Sequence, residues 1–134
     1  MIYVNDNYGD FTAGFSDLVR SALDGARPDL VKPILPAPIS GVAACLTKVR
    51  HSAFYSTALA YLLNRLGTKR LILTGQVNDQ CILDSALDAY VRHIPVVIPT
   101  DAVARLDAKL GAAALTMIER NMSAELTLAG DCLG

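Results

Sequence analysis

Histidine is scarce in this chain: His51 and His93 are the only two. No His/Cys cluster forms with the cysteines, and no Cys-x-x-Cys pair occurs, so zinc and other metals are not expected. The three cysteines, Cys45, Cys81 and Cys132, lack regular spacing and exclude a disulfide framework. That usage fits a reducing, cytoplasmic setting. Net charge is only -1, with no basic stripe, so nucleic acid is not an expected partner. No apolar run is long enough to span a bilayer, and no charged-then-apolar leader precedes a cleavage site. A protein without membrane contact is expected. No Gly-x-Gly-x-x-Gly or phosphate loop follows any candidate strand, which weighs against nucleotide binding. Repeats and low-complexity segments are missing too.

What is present suits a packed core. The chain has 134 residues, 52% of them hydrophobic, which suggests a single domain over 1–134. Ile2 to Val4 reads as a short strand. Phe15, Leu18, Val19, Ala22 and Leu23 mark one helix face. Gly25 to Gly41 carries four prolines and reads as an irregular connection, long enough to suggest function. Val42 to Thr47 is a second strand candidate. Phe54 to Leu66 reads as a helix stopped by Gly67. Leu71 to Thr74 and Val96 to Ile98 read as buried strands. A long helix with Leu110, Ala113, Ala114, Met117 and Ile118 on one face follows, then a last strand at Glu125 to Leu128. Strands alternating with helices predict a three-layer α/β fold with a mainly parallel sheet. Ligands in such folds bind beyond the carboxyl ends of the strands. Asn5, Asp6, Lys48 and Cys81 all fall at such ends.

Cys81 is the strongest candidate for chemistry. It follows the apolar run ending at Gly75, where a helical pattern begins near Asp79: Ile82, Leu83, Ala86, Leu87, Tyr90, Val91. The first turn of a helix presents unpaired N–H groups, which favour a thiolate. A packed, inert cysteine is the alternative on this pattern alone.

Two ordered elements add to it: Lys48-Val49-Arg50-His51-Ser52-Ala53-Phe54, and Gly75-Gln76-Val77-Asn78-Asp79-Gln80-Cys81, extended by Ser85-Ala86-Leu87-Asp88-Ala89. With them the chain resembles the isochorismatase-like cysteine hydrolases, from Ile2 to roughly Leu126. The resemblance implies a Cys nucleophile at Cys81 and an electrostatic partner at Lys48. It implies an oxyanion hole from the N–H groups of Val77 and Cys81, with a cis bond at Gln76-Val77. It also implies hydrolysis of a small amide or related small molecule through a covalent intermediate, with no cofactor.

The chain departs from that pattern in two places. Asn78 stands where the family more often has Thr. The family's catalytic Asp closes its first strand in an Asp-x-x-x-Asp-Phe context. Asp6 with Asp10-Phe11 imitates that spacing, yet Ile2 to Asn7 looks more like the family's second strand. The expectation is then a domain incomplete at its N-terminus, lacking the first strand, its helix and the catalytic Asp. Asp6-Asn7-Tyr8 carries no histidine, which weighs against a nicotinamidase.

Asp6 is expected as a turn or capping residue at the pocket mouth, with improvised acid/base duty as the alternative. Tyr8, Phe54 and Tyr55 are pocket candidates, Phe54 alternatively plain packing, and Lys48 alternatively a solvated strand-end lysine. His51 is expected in a loop, with pocket lining as the alternative, Cys45 in the core and Cys132 in a mobile tail. Asp84, Asp88 and Arg92 are expected on a solvated helix face. A homo-oligomer is expected. Two other functions stay open: an impaired family member kept for subunit association, and a redox thiol module.

Overall fold

The structure is a computed structural model that describes residues 1–35 and 44–133. The chain divides into two compact units, Met1–Val49 and Arg50–Gly134.

In the first unit, β1 (Ile2–Asp6) lies parallel to β2 (Ala44–Lys48), with Ile2 opposite Ala44 and Asp6 opposite Lys48. The strand expected from Val42 starts at Ala44; Val42 and Ala43 lie outside the described residues, as does 36–41 of the expected connection. Between the strands run α1 (Phe15–Leu23), a short α2 (Pro28–Val31) and a 3-10 turn at Lys32–Ile34. Asp17 reaches back to accept from the Gly14 N–H at 2.9 Å, closing the start of α1. Phe15, Leu18, Val19 and Leu23 are half-buried, while Ala22 is exposed. The Phe15 ring meets Tyr3 of β1 at a centroid distance of 6.3 Å and a tilt of 59°.

The second unit is built on β5 (Val96–Pro99), whose four residues are all buried. It is flanked in parallel by β3 (Leu71–Ile72) and β7 (Glu125–Thr127). A separate parallel pair joins β4 (Gly75–Gln76) to β6 (Val103–Ala104). Every strand pairing among the described residues is parallel, as the alternating pattern predicts. The expected Leu71–Thr74 strand is shorter and only partly buried, because Gly75, at φ +110°, turns the chain to a different partner strand.

Three helices cover this unit: α3 (Leu59–Arg65), α4 (Leu83–Val91) and α5 (Ala108–Met122). α3 starts five residues later than Phe54. Side chains take the backbone bonds in between: Phe54 N–H donates to Ser52 Oγ, Thr57 Oγ1 donates to the Ala53 carbonyl, and Ser56 is left-handed at φ +52°. The buried stripe of α5 is Gly111, Ala114, Ile118 and Met122. The expected face is therefore rotated by one residue, with Leu110 and Met117 exposed. In α4 the buried positions are Ser85, Ala86 and Ala89, continuing from Ile82, while Leu87, Tyr90 and Val91 face outward. Small residues at these positions let each helix pack closely on its neighbours, which hydrophobicity counting does not register.

Candidate active site

In the first unit the parallel register brings the ends of β1 and β2 together. Lys48 is buried, and its Nζ lies 2.9 Å from Asp6 Oδ2. The other Asp6 oxygen accepts from the Tyr8 N–H at 2.8 Å, the turn role expected of an aspartate there. The same turn is tied to β2 through the Asn7 N–H, which donates to the Lys48 carbonyl at 3.0 Å. Tyr8 itself is exposed, in a left-handed conformation at φ +51°. Asp10 is a turn residue: its carboxylate accepts from the Thr12 hydroxyl and N–H and the Ala13 N–H. Those bonds, the Thr12 hydroxyl first, hold its carboxyl below the usual aspartate range.

In the second unit Cys81 lies just past β4. The peptide bond from Gln76 to Val77 is cis. The chain then forms a π-type turn over Asn78–Ile82, in which the Ile82 N–H reaches the Val77 carbonyl at 3.2 Å. Cys81 is half-buried in this turn rather than in a first α turn, and α4 continues from it. Wide turns of this kind are concentrated at functional sites because they add a residue without breaking the helix.

The helix carrying Cys81 also anchors the segment after β2. Ser85 Oγ accepts from the Ala53 N–H at 2.9 Å, and Ser52 donates its hydroxyl to Asp88. Arg92 pairs with Asp88 and lies over the buried Phe54 ring, 4.8 Å from its centroid. Asp88 is therefore an internal anchor as well as one end of a helix-face pair, a correction to the fully solvated face expected. Phe54 packs. Spacing could have flagged the anchor, since Ser85 and Asp88 follow Cys81 by four and seven residues and share its helix face.

A shallow cavity of about 270 Å³ opens beside this anchor, lined by Arg50, His51, Ser52, Tyr55, Asp84, Leu87 and Asp88. It includes His51, and Phe54 does not line it. Two thiols sit differently from expectation. Cys45 is exposed, because it occupies an outward position on β2, whose burial alternates. Cys132 is buried, its Sγ donating to the Ala129 carbonyl at 3.1 Å. No three His, Cys, Asp or Glu side chains gather to hold a metal ion among the described residues, and none of the described helices is long and apolar enough to cross a membrane.

A family model described as the Isochorismatase domain matches residues 12–130. The isochorismatase family protein YaaI of Bacillus subtilis (strain 168) is 35% identical over 127 residues, covering 95% of this chain and 68% of that protein. N-carbamoylsarcosine amidase from Thermoplasma acidophilum has a TM-score of 0.72 at 24% identity, over 99% of this chain and 74% of its own. A nicotinamidase/pyrazinamidase from Bacillus subtilis has a TM-score of 0.73 at 23% identity, over 94% and 73%. These two likenesses establish the fold.

Proposed function

The chain belongs to the isochorismatase family, and from that premise we propose that it hydrolyses a small amide or related small molecule through Cys81. The observation that carries the reading is the address of Cys81: half-buried in a π-type turn, directly beyond the carboxyl end of a strand. The amidase names of the structural neighbours favour an amide.

In the proposed reaction the Cys81 thiolate attacks the carbonyl carbon, and the carbonyl electron pair moves to oxygen. The N–H groups of Val77 and Cys81 stabilise that oxyanion. Collapse breaks the C–N bond, and the departing nitrogen takes a proton. Water then attacks the thioester, giving the acid and the free thiol. The Lys48 ammonium stabilises the thiolate and the developing negative charge. Asp6, whose carboxylate touches that ammonium, is the group we assign to carry the proton. Tyr8 is assigned to the pocket wall, while Phe54 keeps its packing role beneath Arg92. A reducing, cytoplasmic setting goes with this reading and is supported by three unbridged thiols.

The test is the alkylation rate of Cys81 against pH in a C45S/C132S background, with and without Lys48→Ala. A thiol pKa well below the ordinary ~8.5, rising when Lys48 is lost, supports the reading. Ammonia release from a panel of small primary amides, abolished in Cys81→Ser, completes it. An ordinary thiol pKa, indifferent to Lys48, overturns it and leaves a family member without a competent nucleophile.

A further inference from the structure

We propose that Asn78 is a positioning residue, clamped onto the backbone of α5 at Gly111 and setting the π-type turn that presents Cys81. The inference rests on the nucleophile role proposed above for Cys81.

Asn78 is fully buried and opens the turn Asn78–Ile82. Its Nδ2 donates to the Gly111 carbonyl at 3.3 Å, across 33 residues of sequence. Gly111 is on the buried stripe of α5. A Cβ there would stand 2.9 Å from Asn78 Oδ1, 2.8 Å from Arg105 Cβ and 2.5 Å from Arg105 Cδ. The missing methyl is therefore space shared by the Arg105 side chain and the Asn78 amide where they lie against the helix. Gly in a helix interior is unfavourable, so its presence here is explained by this close approach. Arg105 follows β6, the partner of β4, and Asn78 follows β4 with Val77 between them. Gly111 thus contacts the outgoing chain of both strands of that pair.

Asn78 Oδ1 has no hydrogen-bond partner among the described residues. A buried acceptor without a partner costs free energy, and an apolar side chain of similar volume would fill the site without that cost. Packing alone does not account for an amide at this position. Geometry does: the Nδ2–Gly111 bond is directional and holds the first residue of the turn in one orientation. Cys81 follows three residues on, within the same i to i+5 ring.

The test compares Asn78→Leu, Gly111→Ala and Asn78→Thr in the C45S/C132S background. Two quantities are read: the pH profile of Cys81 alkylation, and the melting temperature. For Asn78→Leu we expect the rate at neutral pH to fall about tenfold or more as the thiol pKa moves toward its ordinary ~8.5, with little loss of melting temperature. Gly111→Ala, which presses on both Arg105 and the amide without removing either, is expected to move the profile the same way. Arg105→Ala combined with it relieves the Arg105 contact and is expected to leave that shift in place. Asn78→Thr keeps a hydroxyl donor and is expected to retain much of the wild-type profile. Lower melting temperatures with an unchanged profile overturn the proposal and make Asn78 a packing residue. If Asn78→Leu does not fold, the profile of Gly111→Ala decides by the same criterion. A wild-type thiol that is itself ordinary overturns the proposed function and this inference together. A reactive wild-type thiol with unmoved variants overturns this inference alone.

Discussion

Lys48 Nζ lies 2.9 Å from Asp6 Oδ2, at the last register pair of β1 and β2. The lysine is the more deeply buried partner, with its side chain 7% exposed against 23% for the aspartate. The asymmetry ranks two substitutions. Asp6→Ala removes the carboxylate from an ammonium that water reaches poorly, and is expected to cost about 1.5–3 kcal/mol in urea denaturation. Lys48→Met keeps the buried stem and leaves a carboxylate that water can reach, so it is expected to cost less. Equal costs, or the reverse order, would contradict this account of the pair.

Asp88 joins two parts of the second unit: the segment after β2, through Ser52, and the end of its own helix, through Arg92. Asp88→Ala is expected to lower stability by about 1–3 kcal/mol, because it leaves the partly buried Ser52 hydroxyl without its acceptor. Hydrogen exchange should rise first at Ala53 and Phe54, whose N–H groups bond to Ser85 and Ser52. Protection that stays unchanged there would remove the anchoring role.

Gly67 ends α3 at φ +61°, with its N–H on the Asn64 carbonyl and the Thr68 N–H on the Leu63 carbonyl. Gly67→Ala meets no steric neighbour, so backbone conformation alone should set its cost, about 1 kcal/mol by thermal melting. Gly67→Asn is expected to cost less, since asparagine tolerates the left-handed region.

The Asp10 carboxyl is held below its usual range, chiefly by the Thr12 hydroxyl. A depressed folded pKa contributes stability above the unfolded value that is lost as pH falls through the folded one. Thr12→Ala should move the Asp10 titration, followed by NMR, upward toward the ordinary aspartate value. It should also shift the acid-side loss of the turn to higher pH. An unmoved titration would mean that the backbone N–H groups alone hold the charge.

The element types and their order were legible because they depend on local chemistry. Val96 to Ile98 is an unbroken apolar run between two prolines, and it is the buried central strand. Gly67 signals its helix end through a conformation that other residues avoid. Cys81 after a strand, with Lys48 at the end of another, was readable as a candidate site from residue type and order. The start of α3 was not, because Ser52, Thr57 and Ser85 compete for its backbone bonds and Ser85 is distant in sequence. The buried faces of α4 and α5 were misplaced by about one residue, because alanine and glycine mark close approach as strongly as leucine marks hydrophobicity. Residue order and composition by themselves determined an α/β chain with parallel pairing and a thiol beyond a strand end. Tertiary structure alone decided that Lys48 meets Asp6, that Asp88 ties down Ser52, and that Asn78 lies on Gly111. Each of these contacts joins residues more than thirty positions apart, and no local propensity specifies such a pairing.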